Sequence, residues 1–241
     1  MMRALLKWSL RIVLFAIALV FALQLYFFAR IGLWTTFDPS STAFMKSRMA
    51  LVREKNPDAT FHQRWVPYGA ISDHLKRAVI TSEDARFAEH EGVDWDAIEK
   101  AYANNEKLKS GSRPGRQRAR IKGGSTITQQ LAKNLFLSGE RSYLRKGQEL
   151  VITYMLEFWM KKQRILEIYL NVVEWGNGVF GAEAAARHYF GVSAAQLSAS
   201  QAAQLAVMLP NPRFYDTHRG SGYLTRRSAA IARWMPDAEL P

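Results

Sequence analysis

At 241 residues the chain suits one domain of ordinary size plus a short addition, and at 48% hydrophobic it can bury a real core. A net charge of +12 calls for an anionic partner: nucleic acid, anionic lipid or a phosphorylated substrate. With no cysteine, a disulfide framework and a thiolate metal site are both excluded, which suits an extracytoplasmic domain that avoids oxidation.

The N-terminus carries the first strong signal. From Ile12 to Ala29 the only strongly polar residue is Gln24, and Tyr26 and Trp34 lie toward the far end, where interfacial aromatics are enriched. A single transmembrane helix is therefore expected over residues 12–34. Arg3, Lys7 and Arg11 precede it, so residues 1–11 are expected in the cytoplasm and the rest of the chain outside. The apolar run ends in Tyr26-Phe27-Phe28-Ala29-Arg30 instead of a small-x-small cleavage site, which favours a retained anchor over a signal peptide. Residues 35–59 read as a juxtamembrane connector. Within it Asp38-Pro39-Ser40-Ser41 forms a turn, Phe44 to Glu54 a helix near the bilayer surface, and Asn56-Pro57-Asp58 a break. The globular domain is expected over 60–235.

Leu75, Val79, Glu83 and Phe87 recur at four-residue spacing and His90 follows three later, which predicts a helix with Glu83 on its apolar stripe. A carboxylate there needs hydrogen bonds or a cleft, and such a group tends to have a raised pKa. Helical spacing alone leaves two readings of Glu83: a general base, or a structural carboxylate held by Arg86 or His90. Asp84, Arg86 and His90 are close enough in sequence to orient it, and His90 reads as a satisfied core histidine. No His and acidic pair shows metal-ligand spacing. A short helix follows over Asp94 to Asn104. Residues 105–122, basic and broken by Gly111, Pro114 and Gly115, read as a mobile loop suited to a lid. RNA binding would call for interleaved aromatics, which this segment lacks.

Gly123 to Glu149 (GGSTITQQLAKNLFLSGERSYLRKGQE) is the stretch around which the chain is organised. Ser125 or Thr126 makes a good N-cap, and Thr126 to Leu137 reads as a helix. Its first turns present Ser125, Thr126, Gln129 and Lys133, with Gln130 beside them. Arg141, Arg145 and Lys146 follow, and Glu149 stands four residues beyond Arg145. Cations gathered near a helix N-terminus, with one carboxylate among them, suit a phosphorylated substrate whose leaving group is charged. Beyond Glu149 the apolar spacing is helical throughout, Trp175-Gly176-Asn177-Gly178 reads as a turn, and no segment alternates with the period of a strand. The domain is expected to be mostly α.

Glu83-Asp84-Ala85-Arg86-Phe87 with His90 and Gly92 resembles the ED-x-x-F-x-x-H-x-G motif of the peptidoglycan glycosyltransferases, glycosyltransferase family 51. Gly123 to Gln130 matches their GGSTITQQ motif, continued by Lys133-Asn134. Arg145-Lys146 with Glu149 matches RK-x-x-E, and Ile165 to Asn171 matches ILE-x-YLN. Order and spacing agree over roughly residues 60 to 215, and no transpeptidase domain follows, so the chain resembles a monofunctional member. The resemblance implies a lysozyme-like, two-lobed α fold behind the anchor, in the inner membrane with the domain periplasmic. It further implies polymerisation of lipid II into β-1,4-linked glycan with inversion and release of undecaprenyl diphosphate. By that resemblance Glu83 is the general base and Glu149 assists departure of the diphosphate. Lys133, Arg141, Arg145 and Lys146 hold the diphosphates, and Ser125, Gln129 and Gln130 position sugar and phosphate groups. Asp84, Phe87 and His90 shape the cleft. A divalent cation, Mg or Mn, bridging the diphosphate and Glu149 stays open. Implied partners are lipid II, the growing strand, the membrane and other wall synthases or divisome proteins, with no nucleic acid. Two other classes fit less well: a lytic muramidase would need neither the cations nor the anchor, and an inactive scaffold would not need both carboxylates.

Overall fold

The computed structural model of the chain describes residues 2–110, 124–137 and 142–241. Two compact units result, Met1–Asp38 and Pro39–Pro241. The first is helix α1 (Met2–Leu33), of which Leu6–Leu33 is long and apolar enough to cross a membrane. At its far end Arg30 donates to the Tyr26 hydroxyl at 2.7 Å and lies 4.7 Å over the Trp34 ring. That cluster has the amphipathic character favoured at a membrane–water interface.

The second unit opens with α2 (Ala43–Lys55), started by Thr42, whose hydroxyl accepts from the Met45 N–H at 3.1 Å. The segment read as a connector is thus largely part of this unit, with Met45 and Met49 buried. Strand β1 (His62–Gln63) and α3 (Asp73–Glu83) follow. Ser72 caps α3 through the His74 N–H and donates its own hydroxyl to the Leu197 carbonyl at 2.9 Å. Then come α4 (Trp95–Ser110), α5 (Ile127–Phe136), α6 (Tyr143–Trp159) and α7 (Lys162–Val172). Strands β2 (Glu174–Gly176) and β3 (Val179–Phe180) form a hairpin, succeeded by α8 (Ala182–Phe190), α9 (Ala199–Met208), α10 (Pro212–Thr217) and α11 (Gly222–Trp234).

Two helix groups carry the site. The stripe Leu75, Val79 and Ile80 of α3 is buried against α9 and α11, while α5 lies against α2, α6 and α7. The domain is mostly α, as its hydrophobic periodicity implies. The sheet, in order β1-β3-β2 with β1 parallel and β2 antiparallel to β3, consists of strands two or three residues long. Such strands are too short to display alternation in a sequence.

The sheet is tied to the end of α7 by Asn171. Its Oδ1 accepts from the Val66 N–H at 2.9 Å and its Nδ2 donates to the Val66 carbonyl at 2.9 Å, while Gln63 Nε2 donates to the Asn171 carbonyl. Gly181 passes so close that a Cβ there would stand 2.6 Å from the Asn171 carbonyl oxygen, and its φ of +82° favours glycine.

Two expectations need correction. The helix expected to run from Leu75 to His90 stops at Glu83, because Asp84 leaves the helical conformation, with φ −160° and ψ 73°, and its carboxylate bonds to the start of α5. The helix expected to end at Asn104 continues to Ser110, so residues 105–110 are helical and not loop. The rest of the expected loop, 111–122, lies outside the described residues, as do Gly123 and Arg141.

Replacing Asn171 with Ala removes the partner of the half-buried Val66 amide and carbonyl. The expected cost is about 1–3 kcal/mol, which lowers the thermal midpoint by roughly 2–4 °C per kcal/mol in a domain of this size. A thermal scan by circular dichroism checks it.

Candidate active site

Asp84 joins the two helix groups. Its Oδ2 accepts from the Ile127 N–H, the first residue of α5, at 2.9 Å, and its Oδ1 pairs with His90 Nε2 at 2.9 Å. A helix N-terminus favours a carboxylate, through its free N–H groups and its dipole. The same terminus is closed by a capping box. The Thr126 hydroxyl accepts from the Gln129 N–H, Gln129 Oε1 accepts from the Thr126 N–H, both at 3.1 Å, and the Thr126 hydroxyl donates to the Gly92 carbonyl at 2.6 Å. Gly92 takes a φ of +84°, and a Cβ there would come within 2.8 Å of Glu157 and Thr153 on α6. The turn after α3 is therefore stitched to the start of α5 at two points, Asp84 and Gly92.

With the backbone so held, Glu83 faces α5. Gln130 Nε2 donates to Glu83 Oε2 at 2.9 Å, and Gln130 Oε1 accepts from the Tyr169 hydroxyl of α7 at 3.0 Å. Glu83 keeps an edge open to a pocket of about 240 Å³ that it lines with Arg86, Ala97, Gly124 and Ser125. Burial of the rest of the carboxyl pushes its pKa up. The Gln130 and Ser82 hydrogen bonds and the Lys133 charge pull it back, and the Asp84 charge pushes further.

A second depression, of about 300 Å³, shares Gly124 and Ser125 with the first and is walled by Ile98, Tyr102, Gln129 and Lys146. At its cationic side Glu149 is buried, with Arg145 Nη1 2.8 Å from its Oε2 and the Lys146 ammonium bonded to its Oε1. Arg145 Nε is also buried and has no hydrogen-bond partner among the described residues. Lys133 is half-buried on α5 and feels the charges of both Glu149 and Glu83. Burial is the main reason its pKa lies below that of an ordinary lysine.

Ser125, Gln130, Lys133, Arg145, Lys146 and both carboxylates are thus gathered along one path, while Arg141 lies outside the described residues. Gln129 is 3% exposed and closes the cap, reaching the pocket wall with one edge. Arg86 does not orient Glu83: its guanidinium pairs with Asp94 and, at 2.9 Å, with Asp96. Phe87 is fully buried under the Lys162 ammonium, 4.8 Å from the ring centroid, and packs edge-on to His90.

The fold brings ligand atoms of Asp84, His90 and Asp94 within 4.8 Å of one another, a grouping that sequence spacing did not reveal. Those oxygens already bond the Ile127 N–H, His90, the Ala97 N–H and the Arg86 guanidinium. At Glu149 each carboxylate oxygen is likewise engaged by a cation. As arranged, the residues do not fit a divalent metal there.

Sequence reasoning missed three contributors. Tyr169 was legible only as an apolar-stripe residue. Glu157 accepts from Thr128 at 2.6 Å and from Lys162 at 2.8 Å, crosslinking α5, α6 and α7. Asp94 starts α4 and fixes Arg86.

The fold and this paired-pocket site define a helical enzyme whose α5 N-terminus is central. The transglycosylase family model matches residues 50–236. Similar over the whole chain are proteins called biosynthetic peptidoglycan transglycosylase in Herminiimonas arsenicoxydans, 62% identical and covered over 99% of its length, and Janthinobacterium sp. (strain Marseille), 61% and 99%. A protein of that name in Nitrosospira multiformis is 55% identical, with 98% of each chain covered. The chain belongs to the transglycosylase family, with its lysozyme-like fold, and is a glycosyltransferase.

The raised pKa of Glu83 has a consequence for stability. In the unfolded chain the carboxyl ionises near its ordinary value of 4.5, and in the folded protein only at higher pH. Its contribution to stability therefore falls as pH rises through that window and stays unfavourable above it. Glu83→Gln keeps an acceptor for Gln130 and removes the buried charge. It is expected to melt a few degrees above the unmodified protein at pH 7.5, with the gap closing toward pH 4. Thermal scans across pH check this.

Proposed function

We propose that this enzyme polymerises lipid II into β-1,4-linked peptidoglycan, with Glu83 as general base. The observation that carries the reading is the pairing of the two pockets. One holds a carboxylate of raised pKa, the other is walled by Lys146, whose ammonium shares Glu149 with Arg145, and they meet at Gly124–Ser125. A substrate laid across that junction has its acceptor hydroxyl at Glu83 and its diphosphate at Lys133, Arg145 and Lys146. The relatives' name, biosynthetic peptidoglycan transglycosylase, agrees with that substrate class.

In the transfer, Glu83 takes the proton of the acceptor's 4-hydroxyl as the oxygen attacks the anomeric carbon of the donor. The bond from that carbon to the diphosphate oxygen breaks, the configuration inverts, and undecaprenyl diphosphate leaves with the electron pair. Base assistance of this kind is worth about 10²–10⁴-fold. Glu149 acts through its neighbours: with both oxygens held by Arg145 and Lys146, it fixes those cations where the leaving group's charge develops. The unpartnered Arg145 Nε supplies a further donor for a phosphate oxygen. Ser125 stands at the junction, 3.5 Å from the Lys146 ammonium. In this reading α1 is a single-pass anchor. Arg3, Lys7 and Arg11 hold the N-terminus in the cytoplasm, and the domain meets its lipid-linked substrate on the periplasmic face of the inner membrane.

Detergent-solubilised protein given labelled lipid II is expected to yield a ladder of glycan on a gel, and Glu83→Gln to lower kcat by about 10²–10⁴. Absence of polymer, with cleavage of purified peptidoglycan instead, would sink the reading. The kcat–pH profile is expected to be a bell. Its acid limb lies above the ordinary carboxylate range because the base must ionise. Its alkaline limb lies below the ordinary lysine range because Lys133 loses its proton early.

A further inference from the structure

Tyr169 lies in a segment otherwise used for packing, yet it is the one fully buried side chain of α7 whose polar atom reaches toward Glu83. Its hydroxyl is 3.0 Å from Gln130 Oε1, and Gln130 Nε2 is 2.9 Å from Glu83 Oε2. The two ends of a carboxamide have almost the same shape but opposite polarity, so shape alone cannot decide which end faces a carboxyl. The partner at the far end decides. Burial first, and then the charges of Glu83 and Asp84, push the Tyr169 phenol pKa well above its ordinary value. The phenol therefore stays protonated, a standing donor that the amide oxygen must meet.

The groups around Glu83 are Ser82 and Asp84 on its own segment, Gln130 and Lys133 on α5, and Tyr169 on α7. Ser82, Gln130 and Lys133 favour the ionised carboxyl and Asp84 opposes it. The Ser82 hydroxyl is free to turn with the carboxyl's protonation state, whereas Gln130 would reverse its effect only by rotating half a turn. Its NH₂ stabilises a carboxylate, whereas its carbonyl would accept a proton from a carboxylic acid and hold the base in its inactive form.

We propose that Tyr169 is a positioning residue of the transfer reaction: by donating to Gln130 Oε1 it locks the amide with Nε2 toward Glu83, and so keeps the base aimed and ionised. The inference rests on the reading of Glu83 as general base. It gives a catalytic reason for a tyrosine within ILEIYLN, where hydrophobic spacing shows only packing.

Tyr169→Phe keeps the ring and removes the donor. Measured with lipid II across pH, it is expected to lose roughly tenfold in kcat near neutrality with KM within about twofold. Its acid limb should move to higher pH, so that the deficit shrinks in alkaline buffer. Gln130→Met, a neutral side chain of similar length, should show the same displacement. Adding Tyr169→Phe to it should change nothing more, because the tyrosine acts only through the amide. A kcat loss uniform across pH, a change confined to KM, or additive effects in the double variant would each overturn the relay. Should Tyr169→Phe fail to fold by circular dichroism, Gln130→Met decides alone, and an unmoved acid limb in it overturns the proposal. If the unmodified protein makes no polymer, the reading of Glu83 falls and the relay with it. If it polymerises and both variants match it at every pH, only the relay falls.

Discussion

The site depends on the carboxylate of Asp84. Placed between the first N–H of α5 and His90, it joins the end of one helix to the start of another. A charged acceptor on a helix N-terminal N–H is a strong and directional bond, roughly twice as strong as a neutral one. It fixes the register between α3 and α5, and the adjacent Glu83 has no freedom left except rotation of its own side chain. The capping box at Thr126 and the Thr126–Gly92 bond hold the same junction from the other side. The acidic pair Glu83-Asp84 thus divides its labour. One carboxylate is consumed by structure, so that the other can face a pocket.

Glu83 and Glu149 are both largely enclosed, but their surroundings differ in kind. Glu83 has a neutral amide and a hydroxyl as hydrogen-bond donors, and Lys133 acts on it as a charge. Glu149 has a guanidinium and an ammonium directly on its two oxygens. A buried carboxylate with a cation on each oxygen is a structural anion, since removal of either partner would leave an uncompensated charge. A carboxylate kept ionised mainly by dipoles sits closer to exchange with solvent protons. Lys133 feels the charges of both, which couples the two carboxylates electrostatically.

Much of this was legible along the chain because it is local. Capping at Thr126 follows from S-T-I-T-Q within five residues, and the i, i+4 ladder Arg145–Glu149 follows from helical geometry. What failed was also local in form: periodicity carried the helix from Leu75 on to His90. Phe87 and His90 do point into the core, but through a turn that Asp84 opens and Gly92 closes. Hydrophobic spacing records which residues are buried and is silent on the backbone path that buries them. Arg86 was misread for the same reason, since its partner Asp94 is fixed by that turn.

Sequence alone therefore determined the apolar N-terminal helix, the α-rich domain, the transglycosylase motifs and the charges each motif brings. These are properties of composition and short-range spacing, and they survive without knowledge of any long-range contact. Tertiary structure alone decided which motif touches which. Gln130 meets Glu83 across 47 positions, Tyr169 meets Gln130 across 39, and Glu157 meets Thr128 across 29. No periodicity encodes such pairings, because they arise when α3, α5, α6 and α7 pack their apolar stripes together. Buried polar groups must then find partners among whatever side chains that packing brings within reach.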